Sequence, residues 1–167
     1  VKEIFLDKTG TLTYGMMRVV MWDELLPASD SKEHYAAIYA LSKRSGHPIS
    51  CAISSYLEEH YHSFLDGRYQ LEQFSEEPGV GVQGVMNGFS YALGRIDALE
   101  GAVLTRSGLT IDGKMALEIG LTDQLRPDSR TVVQQLALMG LNIELLTGDN
   151  REVALSIGEE VGLTPDQ

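Results

Sequence analysis

Two short polar turns, each directly after a run of apolar residues, contain the side chains best suited to chemistry. The first has the sequence DKTGTLT at residues 7–13, and the second has the sequence TGDN at residues 147–150. The carboxylate of Asp7 could attack phosphorus and form an acyl phosphate. Threonine hydroxyls and the backbone N–H groups of glycine-containing turns could hold phosphoryl oxygens. Two ordinary polar turns are the alternative, which the complete string from Asp7 to Thr13 disfavours.

The flanking patterns predict the elements that position these turns. Residues 1–6 and 143–146 are short β-prone runs, and helical spacing of apolar residues appears over 127–140 and 151–162. Helix, strand, turn and helix in this order favour a parallel, doubly wound sheet, whose ligands bind at the carboxyl ends of the strands. We therefore predict an α/β domain with both turns at the same edge of its sheet.

A different pattern lies between these segments. Two helical runs, over residues 30–46 and 48–57, precede five β-prone runs between residues 69 and 121. Asn87-Gly88 and Asp112-Gly113 are strong hairpin signals. We therefore predict an α+β insert of residues 15–120, with a helical hairpin and an antiparallel sheet, inside an α/β domain of residues 1–14 and 121–167.

The composition is that of an ordinary globular protein, with 167 residues, 43% hydrophobic and 22% charged. The 24 acidic and 13 basic side chains give a net charge of −11, which argues against a nucleic-acid-binding surface. The single cysteine, Cys51, fits a reducing compartment. No stretch approaches the roughly 20 apolar residues of a membrane-spanning helix. Because the first β-prone run starts at residue 1, we expect the chain to be part of a longer protein.

The two turns resemble a known family. DKTGTLT is similar to the phosphorylation signature of P-type ATPases, and TGDN matches a second motif of that family. The insert resembles that of the heavy-metal-transporting subclass, because residues 46–48 (GHP) resemble its His-Pro motif and residues 79–84 (GVGVQG) its glycine-rich motif. The segment over 112–127 resembles the return into the phosphorylation domain. The resemblance runs from Glu3 to about Gly162.

The resemblance implies a haloacid-dehalogenase-like phosphorylation domain, here incomplete, interrupted by a nucleotide-binding domain. Asp7 would accept the γ-phosphate of ATP and become an aspartyl phosphate. Asp7 and the backbone carbonyl of Thr9 would ligate Mg²⁺. Thr147 and Gly148 would contact the phosphoryl group, and Asp149 belongs to the same catalytic turn.

The resemblance also implies a nucleotide site in the insert. A neutral His47 would hydrogen-bond the adenine, and the helix dipole disfavours its protonated form. A solvated residue beside a helix start is the alternative interpretation of His47, and a tight hairpin is the alternative for the glycine motif. The expected nucleotide-binding residues are His47, Pro48, Gly79, Gly81, Gly84 and Gly94.

Three positions depart from the family pattern. Ser42 replaces a glutamate about five residues before the histidine, and Gly46 replaces a glutamate directly before it. In the family, asparagine commonly follows the second glycine of the nucleotide site. Here that glycine is Gly94, and Arg95 follows it. Arg95 either reaches a nucleotide phosphate or faces solvent. These changes leave nucleotide affinity and preference open.

The position two residues after the nucleophile separates two classes of enzyme. Phosphatases of this superfamily have an aspartate there as general acid and base, whereas this chain has Thr9. Threonine cannot exchange protons near neutral pH, so the phosphoenzyme should persist. This favours a transport ATPase over a soluble phosphatase or phosphotransferase with an inserted cap. A non-catalytic nucleotide-binding module is a third possibility.

The resemblance implies partners beyond residues 1–167. The parent protein would move a heavy-metal cation through a membrane domain, and its actuator domain would contact the phosphorylation site. The chain would then be a cytoplasmic domain of an integral membrane protein. Because a further lysine and a GDGxND segment of the family are absent, we expect the fragment alone to be inactive or crippled. The transported metal does not follow from these residues.

Overall fold

The computed structural model describes residues 2–25, 31–65, 70–96, 104–148 and 151–164. The chain divides into two compact units. We call the first the α/β unit (residues 1–16, 99–104 and 123–167) and the second the insert unit (residues 17–98 and 105–122). The elements in chain order are β1 (Glu3–Asp7), β2 (Thr13–Glu24), α1 (Ser31–Lys43), α2 (Pro48–Tyr61), β3 (Glu72–Glu77), β4 (Gly81–Met86), β5 (Phe89–Arg95), β6 (Thr105–Ile111), β7 (Lys114–Leu125), α3 (Ser129–Leu138), β8 (Asn142–Leu146) and α4 (Arg151–Val161).

The α/β unit is built on a parallel pair of strands. β1 pairs with β8 from Glu3 opposite Asn142 to Asp7 opposite Leu146. The buried core of this unit is formed by Leu12, Val133, Ile143, Val161 and Leu163, and the partly buried Leu6 of β1 and Leu145 of β8 pack against it. The predicted parallel α/β architecture is confirmed.

The insert unit contains the helical hairpin and the antiparallel sheet that the sequence predicts. The sheet has the strand order β2-β7-β6-β5-β4-β3. The apolar stripes of α1 and α2 supply side chains that are fully buried against it, among them Ile38, Leu41, Ile53 and Leu57. The first helical run is predicted to begin at residue 30, which lies outside the described residues, and α1 is described from Ser31.

Both predicted hairpin turns are present. Asn87 and Gly88 have φ of 50° and 82°, and Asp112 and Gly113 have φ of 48° and 77°. Two consecutive left-handed residues fit the twist of the flanking strands, and this explains the preference of such turns for Asn-Gly and Asp-Gly.

One strand is longer than the apolar pattern predicts. The sequence indicates a strand over 109–111, whereas β6 begins at Thr105. Its polar first half is stabilised by cross-strand contacts, since the guanidinium of Arg106 bonds the carboxylate of Glu118 and Ser107 Oγ donates to the carbonyl of Gly94 at 3.0 Å. Polar pairing of this kind carries no hydrophobic signal. The sequence also indicates a strand over 69–74, whereas β3 begins at Glu72. Tyr69 lies outside the described residues.

Across the described ranges, no helix is long and apolar enough to cross a membrane.

Candidate functional site

The α/β unit brings the two polar turns to one edge of its strand pair. Asp7 is the last residue of β1 and lies opposite Leu146, the last residue of β8. Thr147 and Gly148 therefore leave the sheet beside the turn that follows Asp7. The carboxylate of Asp7 is exposed and makes no hydrogen bond or ion pair within the described part of the chain. The expected juxtaposition is present, while Asp149 lies outside the described residues.

The turn after Asp7 depends on one glycine. Gly10 has φ of 82°, and a Cβ added to it would meet no atom within 4 Å. Glycine is therefore needed for the left-handed backbone and not for space. Thr9, just before it, is extended with ψ of 118°. The side chains of Thr9 and Thr11 are exposed, so both hydroxyls are open to a ligand.

A buried polar cluster supports this turn. Lys8 and Asp123 have side chains only 7% exposed, and Lys8 Nζ lies 3.5 Å from Asp123 Oδ2. The hydroxyl of Thr13 lies 2.7 Å from the same Oδ2 and 3.1 Å from the carbonyl of Lys8. It also accepts the N–H of Gly10 at 3.3 Å. Charge pairing and hydrogen bonding thus offset the cost of burying these groups.

Two residues of the segment after β7 bond the backbone of the turn. The guanidinium of Arg126 donates to the carbonyls of Gly10 and Thr13, both at 3.2 Å. Ser129 Oγ donates to the carbonyl of Leu12 at 2.6 Å. These contacts fix the turn without using the carboxylate of Asp7, which remains available for chemistry.

Sequence reasoning assigned no role to Lys8, Asp123, Arg126 or Ser129. The available signal was the polar stretch over 123–129, directly after an apolar strand pattern. A pattern of residue types does not distinguish a buried lysine or aspartate from a solvated one, because the distinction depends on partners more than 100 positions away, such as the Lys8–Asp123 pair, 115 positions apart.

The insert unit contains a cavity of about 110 Å³ that collects most of the expected nucleotide-binding residues. Its lining includes His47, Gly79, Gly81, Gly94, Arg95 and Ser107. A neighbouring cavity of about 210 Å³ shares the two glycines of β4 and β5 and adds Ser75, Glu77 and Gln83. Two expected residues lie outside both cavities, namely Pro48 and Gly84.

His47 is the N-cap of α2, as its position before Pro48 predicts. Its Nδ1 accepts the N–H of Ile49 at 3.3 Å, and its carbonyl accepts the N–H of Cys51 at 3.0 Å. The imidazole is exposed and lines the cavity, with Nε2 as the ring nitrogen not used by the cap. His47 is therefore both a helix cap and a potential ligand contact.

The four glycines expected at the nucleotide site are required for different structural reasons. Gly81 pairs with Gly94 across β4 and β5, and a Cβ on Gly81 would lie 2.2 Å from the carbonyl oxygen of Leu93. Gly79 has φ of 79° in open space, so only its backbone conformation requires glycine. Gly84 packs on Leu71, where an added Cβ would lie 2.8 Å from Cδ1. Strand packing thus accounts for Gly81, Gly84 and Gly94.

The three departures from the family pattern occupy different environments. Ser42 is 1% exposed, and its Oγ has no hydrogen-bond partner among the described residues. It does not line either cavity. Gly46 is exposed, and a Cβ added there would meet no atom within 4 Å. Arg95 is exposed and lines the smaller cavity together with His47.

Metal-binding side chains do not cluster in the described ranges, where no three His, Cys, Asp or Glu residues come together. The donors at the Asp7 turn are a carboxylate and backbone carbonyls. Oxygen donors of this kind suit Mg²⁺, which takes one or two carboxylates and completes its shell with water and phosphate oxygens. The oxygen donors of this turn therefore fit a magnesium ion.

Comparison with known proteins gives consistent results. The model of the haloacid dehalogenase-like hydrolase family matches residues 1–166. A probable cadmium-transporting ATPase of Alkalihalophilus pseudofirmus is 34% identical over 98% of this chain and 25% of its own length. The copper-exporting P-type ATPase B of Archaeoglobus fulgidus is 35% identical over 97% of this chain and 25% of its own length. This chain thus spans about a quarter of these relatives.

A solved structure shares the fold over nearly the whole chain. The crystal structure of a zinc-transporting PIB-type ATPase superposes with a TM-score of 0.77 and 27% identity, covering 98% of this chain and 28% of that one. The predicted fold class, with an α+β insert in a haloacid-dehalogenase-like domain, agrees with this match. The chain belongs to the haloacid dehalogenase-like hydrolase family, and the relatives that it matches are P-type ATPases that transport heavy metals.

Proposed function

We propose that this chain is the ATP-binding and phosphorylation portion of a heavy-metal-transporting P-type ATPase. The observation that carries the proposal is the parallel pairing of β1 with β8, in which Asp7 lies opposite Leu146, the residue directly before Thr147 and Gly148. The names of the relatives support the same assignment. On this proposal residues 1–14 and 121–167 belong to the phosphorylation domain and residues 15–120 form the nucleotide-binding domain.

Asp7 is the proposed nucleophile. One of its carboxylate oxygens attacks the γ-phosphorus of ATP, a bond from Asp7 to phosphorus forms, and the bond from the γ-phosphorus to the bridging oxygen breaks to release ADP. Phosphoryl transfer depends mainly on positioning and charge neutralisation. Mg²⁺ held by Asp7 and the carbonyl of Thr9 supplies charge neutralisation when bound. The hydroxyls of Thr9, Thr11 and Thr147 are proposed donors to the phosphoryl oxygens.

Thr9 favours a long-lived phosphoenzyme. Hydrolysis of the aspartyl phosphate needs a group that takes a proton from water, and a threonine hydroxyl does not do so near neutral pH. A persistent phosphoenzyme can drive a conformational cycle, as transport requires. This argues against the alternative of a soluble phosphatase or phosphotransferase with an inserted cap domain.

ATP is proposed to bind at the smaller cavity of the insert unit, the one that His47 and Arg95 line. The imidazole of His47 contacts the adenine, and the open turn at Gly79 lets backbone N–H groups approach the ligand. Gly81, Gly84 and Gly94 contribute by keeping the strands close together. Among the described residues that line the smaller cavity, Arg95 is the only one with an arginine, lysine, aspartate or glutamate side chain. A phosphate contact is therefore the proposed role of Arg95.

The parent protein is proposed to couple this chemistry to movement of a metal cation across a membrane. Its membrane domain carries the cation, its actuator domain acts on the aspartyl phosphate, and this chain lies on the cytoplasmic side. Selectivity for the metal would come from ligands within the membrane domain. A non-catalytic nucleotide-binding module is the competing function, which the altered positions Gly46 and Arg95 leave open.

Nucleotide binding is tested on the 167-residue chain itself. Isothermal titration with ATP and ADP is compared for the wild type, His47→Ala and His60→Ala. His60 is an exposed histidine of the same helix outside the cavity, so its substitution is the matched control. We expect millimolar or tighter binding that weakens only in His47→Ala. No binding by the wild type, or equal loss in both variants, would overturn the nucleotide site.

Phosphorylation is tested on the longer protein that contains this chain. Incubation with γ-labelled ATP and Mg²⁺ should give an acid-stable, hydroxylamine-sensitive label that Asp7→Asn abolishes. Asp128→Asn, an exposed aspartate of the same unit, should keep the label. Label that survives Asp7→Asn would remove Asp7 as the nucleophile, and binding without any label would support the non-catalytic module.

A further inference from the structure

The loop before α2 is tied to a neighbouring strand through one buried hydroxyl. Ser45 Oγ accepts the backbone N–H of His47 at 3.1 Å and donates to Glu76 Oε1 at 2.6 Å. Ser45 is only 6% exposed, whereas Glu76 and His47 are exposed. The hydroxyl thus uses both its donor and its acceptor capacity to join the residue that lines the cavity to β3.

The bond to Glu76 is the stronger part of this connection. A hydroxyl that donates to a carboxylate forms a charge-assisted bond, which is shorter and roughly twice as strong as a neutral one. Glu76 lies opposite Val82 in the β3–β4 pair, one residue from Gly81. The Glu76–Ser45 bond therefore fixes the backbone of His47 relative to the strand that forms the cavity wall.

The hydrogen bond that caps α2 determines which ring nitrogen of His47 carries the proton. Nδ1 accepts the N–H of Ile49 at 3.3 Å, so it must carry a lone pair. In a neutral imidazole the proton is then on Nε2, which acts as a donor. A ligand that contacts this ring must present an acceptor, such as an unprotonated ring nitrogen of a purine. An exocyclic amino group, which is a donor, does not fit.

We propose that Ser45 and Glu76 are positioning residues for His47: they hold its Nε2–H donor at the cavity, where it recognises a ring-nitrogen acceptor of the nucleotide base. This proposal rests on the nucleotide-binding function proposed above and extends it to two residues that line neither cavity. Neither residue touches the ligand, and both act through the backbone of His47.

The first test compares variants that remove or keep the connection. Ser45→Ala and Glu76→Ala remove it, whereas Ser45→Thr and Glu76→Gln keep a hydroxyl or a carbonyl oxygen at the same place. Glu72→Ala, an exposed glutamate at the start of the same strand, is the matched control. We expect the removing variants to weaken ATP binding roughly fivefold to tenfold, as loss of one such hydrogen bond implies. Ser45→Thr and the control should bind ATP as the wild type does, and Glu76→Gln, which keeps a bond but loses its charge assistance, should bind ATP more tightly than Glu76→Ala.

A second readout separates positioning from general stability. ¹⁵N NMR of the imidazole reports directly which nitrogen of His47 carries the proton. We expect a single Nε2-protonated form in the wild type and a shifted or mixed form in Ser45→Ala, at a temperature where both proteins are still fully folded. Unchanged His47 signals in Ser45→Ala would overturn the positioning role, whether or not ATP binds.

A third readout identifies the acceptor. ATP analogues that replace one purine ring nitrogen by C–H, namely 1-deaza-, 3-deaza- and 7-deaza-ATP, are titrated against the wild type and His47→Ala. One analogue should bind the wild type more weakly than ATP does. The same analogue should bind His47→Ala with the same affinity as ATP. Equal affinity of all analogues for the wild type would overturn the acceptor assignment, whereas absence of any ATP binding would overturn the proposed nucleotide site itself.

Discussion

Gly81 of β4 and Gly94 of β5 face each other with no room for a side chain on either. A Cβ on Gly81 would lie 2.2 Å from the carbonyl oxygen of Leu93 and 2.6 Å from the Cα of Gly94. A Cβ on Gly94 would lie 2.5 Å from the carbonyl oxygen of Val80. Both glycines also line the two cavities of the insert unit. The same close approach therefore shapes the strand pair and the proposed nucleotide site.

This close approach makes Gly81→Ala destabilising. The added methyl collides with backbone, and φ of 148° at Gly81 is unfavourable for any side chain. We expect the free energy of unfolding, measured by urea denaturation, to fall by about 1–3 kcal/mol. Gly46→Ala is the control, because its Cβ meets no atom and its φ is not left-handed. It should change stability by less than about 1 kcal/mol, in the stabilising direction. Equal effects of the two substitutions would contradict the contact.

Asp123 should be needed for the stability of the α/β unit. Asp123→Asn removes the carboxylate beside the buried ammonium of Lys8 and weakens the bond from Thr13. Breaking a buried ion pair on one side costs about 3 kcal/mol. Chemical denaturation measures the loss, and Glu159→Gln, an exposed carboxylate of α4, is the control with an expected change within about 0.5 kcal/mol. A loss no larger than that of the control would show that the pair does not support the turn.

Arg95 should discriminate between ATP, which carries phosphates, and the nucleoside adenosine, which does not. If its guanidinium contacts a phosphate, Arg95→Gln weakens ATP binding roughly tenfold or more, the usual effect of losing a hydrogen bond to a charged group, and leaves adenosine binding unchanged. The variant should also lose part of the salt dependence of ATP binding. Titration calorimetry with both ligands measures this, with Arg130→Gln as the control. Unchanged ATP affinity in Arg95→Gln would place this side chain in solvent.

The helical hairpin should become less stable in acid. Glu58 accepts hydrogen bonds from Lys43 at 2.8 Å and from Tyr39 at 2.7 Å, and these partners, the ammonium first, lower the pKa of its carboxyl from the usual 4.5. Because the unfolded chain then binds the proton more readily, this contribution is complete above pH 4.5 and is lost as the pH falls through the lowered pKa.

Glu58→Gln tests this dependence. Thermal melts should show the variant less stable than the wild type at pH 7, with the difference shrinking toward pH 3. The effect is small, because Lys43 and Glu58 are both about half exposed and solvent screens the pair. Glu59→Gln, the next residue of α2, should show no such change with pH. A difference that is constant from pH 7 to pH 3 would rule out the linkage.

Much of the fold could be predicted from local sequence. The helical spacing in α2, the proline at its first position and the Asn-Gly and Asp-Gly turns each act on the backbone within a few residues, so a pattern is enough to identify them. The early start of β6 could not be predicted in this way. Its polar half is stabilised by partners on β5 and β7, such as Glu118, and hydrophobic periodicity does not detect them.

In the candidate sites too, some features could be predicted from local sequence and others could not. The residue types at Asp7, Thr147 and His47 indicate phosphoryl and nucleotide chemistry without any coordinates. Their environments do not follow from residue type. That Lys8 is buried against Asp123, and that Ser45 connects His47 to Glu76, depends on contacts across 115 and 31 residues.

The sequence by itself therefore determined which chemical groups are present, which turns carry them and which elements flank those turns, because local steric and periodic preferences are encoded residue by residue. Only the tertiary structure decided which glycines are needed for strand contact, which charges are buried and which hydroxyl positions His47. Burial and hydrogen bonding are properties of pairs of distant residues, and the chain makes those pairs only when it folds.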